Sequence, residues 1–499
     1  MAGKIVADYL YQYAEEQPET IAVVAGKESA SYRRLAGLTR GYASYLKEKG
    51  LLKGDIVVVK ASQTLDFVVA YLAVHTAEGI VVPVEKNVPP TGIQAIARFL
   101  GAKMLVSRDA ADRACEDMLY LDGSTIMSDA QSTVPVEFSL PEEDDSSDIL
   151  FTTGTTGTSK GVELTHSALV KNSEKEINAF RFRRDTVIIV PGPLNHAGNL
   201  WKLWTTIING STLYLLSGMT DMKGFFDALD YAGNRAGCYL SPSAIRTLFA
   251  LTGDRIGLYD GKIDFIIAGS SAFPETDRQR LCRLLPGVRL YNGYGSSETC
   301  VLCMYEYSKE PGRINCVGKA LPNTRVFVVD GDRRIIRSSK DNPGYLACTT
   351  DGMMKGYFNA PELTRQVLVD GVAYTNDVGY IDEDGYVCII GRADDVINVG
   401  GLKVAPAEVE EAALSIDGIE DCICVPVPHP ISGHTPKLLV VMREGAEFSP
   451  KKISAALLDK LEGYKVPTEF AQVERVARTY NGKLDRKAYR SDGRVVEKE

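Results

Sequence analysis

Residues 152–161 read TTGTTGTSKG, a run of hydroxyls and glycines around one cation, Lys160. Two physical readings fit such a stretch. Chain rich in Gly and Ser/Thr resists packing and serves as a linker. The same composition also wraps an anion with backbone N–H groups, hydroxyls and a lysine. The apolar "DIL" before the run predicts a strand, and "VELTHSALVKNSEKE" after it predicts the start of a helix. A strand–loop–helix order would aim free N–H groups and the helix dipole at negative charge. The run is not a GxxxxGK[ST] loop, because Ser159 stands where glycine is needed and Gly161 follows the lysine. A GxGxxG dinucleotide fingerprint is absent as well.

Other residue patterns exclude more than they propose. Cys300 and Cys303 form a CxxC, and Cys422 and Cys424 a CxC. A zinc site wants four ligands, and no partner pair stands at suitable spacing. These cysteines read as buried free thiols in a reducing compartment. The five histidines make no HExxH, and no GxSxG nucleophile elbow occurs. A net charge of −9 over 499 residues argues against a general nucleic-acid or anionic-membrane binder. No apolar run reaches the roughly 18 residues of a membrane span. The opening MAGKIVADYLYQYAEEQPE carries acids early and reads as no leader, so the expected location is cytoplasmic.

The elements that must position this chemistry follow from periodicity. Apolar runs at 55–61, 79–85, 102–107, 186–192, 211–216 and 264–270 read as buried strands. Between Ser31 and Gly50, Leu35, Leu38, Tyr42, Tyr45 and Leu46 recur at helical steps, with Ser31 placed to cap. Strands alternating with helices predict an α/β fold with mostly parallel sheets. From about residue 320 the texture shifts to short strands and turns, as in TRVFVVDGDRRIIR and GYIDEDGYVCIIGR, with acidic turns at hairpin positions. After GRADD (391–395) comes a new unit: a helix near APAEVEEAALS, strands at DCICVPVP and KLLVVMR, a helix at SPKKISAALLDKLEGY, and a basic tail. The expected organisation is a domain over 1–391, a hinge at 392–395 and a smaller domain over 396–499.

Six segments now stand in order: TTGTTGTSKG, IIAGSSAFP (266–274), YNGYGSSET (291–299), YTNDVG (374–379), GRADDVINVGGLKVAPAEVE (391–410) and NGKLDR (481–486). In type, order and spacing they resemble the adenylate-forming superfamily of acyl- and aryl-CoA synthetases, nonribosomal peptide synthetase adenylation domains and luciferases. The resemblance spans about residues 5–490. It implies a large N-terminal domain of mixed, mostly parallel sheets with a β-barrel-like subdomain, and a small mobile α+β C-terminal domain. It further implies that Thr152, Thr153, Gly154, Thr155, Thr156, Gly157 and Lys160 form a phosphate loop, with Lys160 on the β- and γ-phosphates of ATP. Gly269, Ser270 and Ser271 would lie along the adenine. Within the segment of Asn292, Gly293, Tyr294 and Gly295, Tyr294 would stack on the adenine ring. Ser297 would touch the α-phosphate, and Glu298 would hold Mg²⁺. Asp377 would accept the ribose hydroxyls beside Arg392, and Lys483 would bridge the reacting carboxylate and α-phosphate. Asp394 would be the pivot, and Gly400, Gly401 and Lys403 would meet CoA.

The chain departs from the family at three places: Ser159 replaces proline, Tyr345 a common glutamate, and Asn398 a common lysine. Amino-acid-activating relatives carry an aspartate a few residues before a tryptophan, and counting back from Trp201 puts Ala197 there. An ammonium without its counter-ion is poorly held in a dry pocket. The LNHAGN segment instead resembles acyl- and aryl-CoA ligases, with His196 flanking the acid; a packing role for His196 is the alternative. The expected activity is ATP-dependent conversion of a carboxylic acid to acyl-AMP and pyrophosphate, then transfer to CoA. Since the chain stops just past NGKLDR, a stand-alone ligase is expected. A carrier protein's phosphopantetheine arm is the alternative acceptor, and a non-catalytic nucleotide sensor the alternative class.

Overall fold

The computed structural model describes residues 4–137, 139–153, 159–313, 315–400, 402–479 and 483–489, and only the backbone of 152, 153, 159 and 403. Two sheets of the large domain share one helical filling. The seven-stranded sheet runs in the order Gly356–Tyr357, Ser159–Thr165, Ser146–Thr153, Ile80–Val84, Ile56–Lys60, Met104–Ser107, Leu119–Asp122. The fourteen-stranded sheet has a parallel centre built from Arg289–Ser296, Ile263–Ala268, Ala236–Leu240, Val187–Val190, Thr212–Leu215 and Ile21–Ala25. All six apolar runs expected as strands are strands. Val187–Val190 is buried at every position, as a parallel strand covered on both faces must be.

Helices Tyr32–Glu48, Leu65–Thr76 and Ala197–Asn209 fill the space between the sheets. One core cluster joins Val57, Val59 and Val81 of the smaller sheet to Ile188, Val190 and Leu213 of the larger through these helices. Every residue of Leu65–Thr76 is buried, which suits a helix apolar all round. Tyr32–Glu48 starts where the sequence placed its cap: Ser31 Oγ accepts the Arg34 N–H at 3.3 Å.

Beyond Arg289–Ser296 the large sheet turns antiparallel through Cys300–Glu306, Cys316–Ala320, Val387–Arg392, Val372–Ile381, Gly344–Thr350 and Thr324–Val329. The strands expected to make a barrel-like unit therefore extend the sheet, and the strand path does not close. GYIDEDGYVCIIGR forms its hairpin. TRVFVVDGDRRIIR does not: Thr324–Val329 pairs along its length with Gly344–Thr350, and the local turn retains only an isolated Val329–Ile335 bridge. A longer apolar partner at 344–350 outcompetes the arginine-rich return segment.

The smaller C-terminal domain carries a five-stranded sheet, Leu402–Val404, Ile397–Val399, Gly433–Met442 and Ile419–His429, with Glu469–Gln472 beside Gly433–Met442. Helices Pro406–Leu414 and Pro450–Leu458 close its own core of Ile397, Val409, Ile419, Leu438, Val440 and Leu457. Among the described residues no helix is long and apolar enough to cross a membrane.

Candidate functional site

The hydroxyl-rich run does not lead into a helix. Ser146–Thr153 and Ser159–Thr165 are antiparallel neighbours with Phe151 opposite Gly161 and Thr152 opposite Lys160, so the run links two strands. The helix His166–Ala179 begins only after the second strand. Val162 and Leu164 alternate inward and commit that segment to the sheet, which removes the helix dipole from the argument. Gly154, Thr155, Thr156 and Gly157 lie outside the described residues, as do the side chains of Thr152 and Thr153. Lys160 is described: its Nζ stands 5.4 Å from the centre of the Tyr357 ring.

Tyr357 ties that lysine to the next group. Its hydroxyl donates to Glu298 Oε1 at 2.9 Å, and the Met354 N–H donates to the Glu298 carbonyl at 2.8 Å. The two-residue strand Gly356–Tyr357 reaches this place by pairing with Ser159–Thr165, Tyr357 opposite Val162. Desolvation together with the Glu298 charge holds the Tyr357 hydroxyl far above its usual range, so it stays a donor.

A second cluster forms across three strands of the large sheet, Arg289–Ser296, Val372–Ile381 and Val387–Arg392. Tyr294 donates to Asp377 Oδ2 at 2.5 Å, and Arg392 Nε lies 3.8 Å from Asp377 Oδ1. Asp377 and Arg392 are directly opposite in the Val372–Ile381/Val387–Arg392 ladder. Burial and Asp377 both raise the Tyr294 hydroxyl well above its ordinary value. Gly295 is required here, since a Cβ would stand 2.0 Å from the Cys300 carbonyl. Asn292 turns into the interior and donates to the Cys316 carbonyl at 3.3 Å, while Ser297 occupies the turn before Cys300–Glu306.

Gly269, Ser270 and Ser271 follow the end of Ile263–Ala268. Ser270 adopts φ +75°, and its hydroxyl lies 2.8 Å from the Tyr239 hydroxyl. A Cβ on Gly269 would come 3.2 Å from the Gly293 carbonyl, so the two glycine segments sit back to back. Tyr239 also meets the helix Ala197–Asn209, because a Cβ on Gly198 would fall 2.2 Å from its hydroxyl oxygen. That helix is anchored by a buried pair: Lys202 Nζ donates to Glu176 Oε2 at 2.6 Å, and Thr205 donates to the same oxygen at 2.9 Å. Burial lowers the Lys202 ammonium and Glu176 opposes it.

His196 stands at the N-cap position of this helix without a side-chain capping bond. Burial, and after it the positive charge of Lys483, pushes the His196 imidazole down to about 4. Lys483 belongs to the C-terminal domain, yet its ammonium feels the Arg392 charge and the opposing charges of Asp377 and Glu298. Crowding by protein lowers it first, Arg392 next, while both carboxylates raise it. The residue as a whole remains exposed. Lys160, His196, Glu298, Asp377, Arg392 and Lys483, drawn from six segments, are thus linked into one neighbourhood.

Asp394 borders this neighbourhood and accepts from Asn376 Nδ2 at 2.6 Å in the turn after Arg392. Gly400 has φ +60° and donates to the Ser432 carbonyl at 3.0 Å; Gly401 and the Lys403 side chain fall outside the described residues. Cys300 and Cys303 are buried free thiols, and the described residues contain no cluster of three or more metal-ligating side chains. A lone carboxylate such as Glu298 nevertheless fits Mg²⁺, which keeps waters and takes its remaining ligands from phosphates. Sequence reasoning missed Tyr239, Tyr357 and the Lys202–Glu176 pair.

Comparison with known proteins gives a consistent picture. A family profile described as AMP-binding enzyme matches residues 10–358, and one described as AMP-binding enzyme C-terminal domain matches 408–483. A 4-coumarate--CoA ligase-like protein of Oryza sativa subsp. japonica is 26% identical over 98% of this chain and 93% of its own. Tyrocidine synthase 1 of Brevibacillus parabrevis is 24% identical over 97% of this chain, which spans only 45% of that protein. The ATP-bound structure of MatB from Rhodopseudomonas palustris superposes with a TM-score of 0.88 at 24% identity, covering 98% of each chain. That of MenE, the o-succinylbenzoate coenzyme A synthetase of Bacillus subtilis, with ATP and magnesium gives 0.85 at 20% identity, over 96% and 98%.

Proposed function

Since the chain belongs to the AMP-binding enzyme family, we propose that it activates a carboxylic acid with ATP and passes the acyl group to the thiol of CoA. In the first half-reaction a carboxylate oxygen attacks the α-phosphorus, and the bond to pyrophosphate breaks, leaving acyl-AMP. In the second, the thiol sulfur attacks the acyl carbon, AMP departs and the thiol proton is released. The observation that carries the proposal is Lys483. The charge of this C-terminal lysine is felt by His196 and itself feels Glu298, Asp377 and Arg392 of the large domain.

ATP and a carboxylate repel each other, so the reaction rests on positioning and charge neutralisation. Lys483 serves both needs by lying between the attacking carboxylate and the α-phosphate. His196, neutral above about pH 4, flanks the acid without adding charge. Asp377, fixed by Tyr294 and Arg392, accepts the ribose hydroxyls. Lys160 and its phosphate loop hold the outgoing pyrophosphate. Glu298, oriented by Tyr357, would hold Mg²⁺, which supplies charge neutralisation on the phosphates. Tyr294 gives its hydroxyl to Asp377, so its ring edge is fixed and its face remains for the adenine. The domain over 1–391, the hinge at 392–395 with Asp394 as pivot, and the domain over 396–499 allow Lys483 to leave once acyl-AMP exists. Gly400, Gly401 and Lys403 then meet CoA.

A carboxylate is missing where a substrate ammonium would need one. Ala197 occupies that place, and the nearby Glu176 is already neutralised by Lys202. This favours an acid without an α-ammonium and CoA over a carrier-protein arm. Acid-dependent exchange of pyrophosphate into ATP across fatty, aryl, dicarboxylic and amino acids tests the first half. Mass detection of acyl-CoA, with a carrier protein offered in parallel, tests the second. Exchange with no acid would overturn the activity, and exchange with carrier loading alone would overturn the acceptor.

A further inference from the structure

The turn that presents Lys483 is tied down at its root. The Thr479 N–H donates to the Lys483 carbonyl at 2.8 Å, and Arg478 bridges Leu484 across the turn. The Arg478 guanidinium then donates to Asp421 Oδ2 at 2.5 Å, on strand Ile419–His429. The other Asp421 oxygen receives Arg246 at 3.3 Å, and Arg246 belongs to helix Pro242–Thr252 of the large domain. Arg246 Nε in turn donates to Asp277 Oδ2 at 2.9 Å, on helix Glu275–Leu284. Four alternating charges thus run from the large domain to the turn of Lys483. A second contact lies beside them: Glu411 of the C-terminal domain accepts the Glu275 N–H at 2.6 Å, at the start of the same helix. A carboxylate there also meets the positive end of the helix dipole.

We propose that Asp277, Arg246, Asp421 and Arg478 are positioning residues that set Lys483 against the reacting groups, with Glu411 as a second anchor. The proposal rests on the reading that Lys483 serves the adenylate-forming half-reaction. None of the four touches substrate in that reading; each acts through the lysine. Their side chains are only 17–28% exposed, so the pairs are largely shielded from solvent and hold a defined geometry. Geometry is what they supply, and a displacement of about 1 Å costs on the order of a hundredfold in rate. Burial alone would lower the Arg246 guanidinium, but Asp277 and then Asp421 outweigh it and hold the group above its ordinary value. The Arg246–Asp421 bond crosses between domains, so it must break when Lys483 withdraws. It therefore supports the first half-reaction and has no part in the second.

The test uses the full chain with Arg246→Met, Asp421→Asn and the double variant, each checked for wild-type melting. Pyrophosphate exchange and acyl transfer from supplied acyl-AMP to CoA are measured side by side. Each single variant is expected to lower the kcat of exchange at least about tenfold with KM for ATP nearly unchanged, and to leave acyl transfer within about twofold. The double variant should be no slower than the slower single, since the Arg246–Asp421 link between the domains is already broken in each single. Arg246→Lys, which still reaches one carboxylate, should recover part of the rate. Equal losses in both half-reactions, unaltered exchange, or losses that multiply in the double variant would overturn the relay while leaving the activity standing. A wild type silent toward every acid would overturn the adenylation reading beneath it.

Discussion

Replacing Lys483 with methionine keeps the length of the side chain and removes its charge. In the proposed adenylate-forming step that charge would face negative charge shared by a carboxylate and the α-phosphate. Two unit charges about 4 Å apart in surroundings of effective dielectric near 20 interact by about 4 kcal/mol. Lys483 keeps an exposed flank, and screening there trims the expected loss in exchange rate to roughly a hundredfold, in line with removing one preorganised cation. Acyl transfer from synthetic acyl-AMP to CoA should persist, because in the proposed mechanism the lysine would by then have withdrawn. A second readout comes from His196, whose imidazole is pushed down to about 4 by burial first and by Lys483 second. With the cation gone it should titrate higher, yet still below the ordinary histidine range because burial remains. Both half-reactions and the histidine titration, followed by NMR, are measured on one folded variant. Near-normal exchange, equal loss of both steps, or an unmoved His196 would refute the placement of Lys483.

Asp377→Ala should weaken AMP binding by about 1.5–3 kcal/mol, because two ribose hydroxyls lose a charged acceptor; calorimetric titration showing wild-type affinity would count against the ribose role. His196 is held down to about 4 when folded, against roughly 6.5 when unfolded. The unfolded chain therefore binds the extra proton first, and stability falls as pH drops through that window. Urea midpoints from pH 4 to 7 should show a shallower decline in His196→Gln, and identical slopes would contradict the burial. Asp394→Pro fixes φ in the turn after Arg392 and should depress the two half-reactions unequally; parallel loss, or none, would argue against a pivot there.

The buried strands were legible because a parallel strand covered on both faces has to be apolar throughout, as 187–190 and 80–84 are. The helix after Ser31 was legible because its cap and its period agree. The segment after Lys160 misled because Gly161 and Thr165 bracket only two inward residues, Val162 and Leu164, too few to display a period of two against the helix behind them. At the site, Lys160, Glu298, Asp377 and Lys483 stood out through local motifs. Tyr357 and Tyr239 did not, because their meaning comes from partners 59 and 31 residues away. The Lys202–Glu176 pair hid for the same reason: on either helix each residue reads as an ordinary polar position.

Pairing of Gly356–Tyr357 with Ser159–Thr165 has a consequence for biosynthesis. The strand that flanks Lys160 emerges from the ribosome long before its partner, and the ladder between them cannot close until residue 357 is free. Arg392 and Lys483 arrive later still. A nascent or truncated chain would therefore lack part of the shared core as well, because that core also draws on Leu213, Tyr239, Tyr291 and Tyr357. Closing contacts of such long sequence separation is slow, because chain entropy is lost before the contacts form. Partial products should accordingly show neither the full core nor the ladder beside Lys160 until residue 357 has been made.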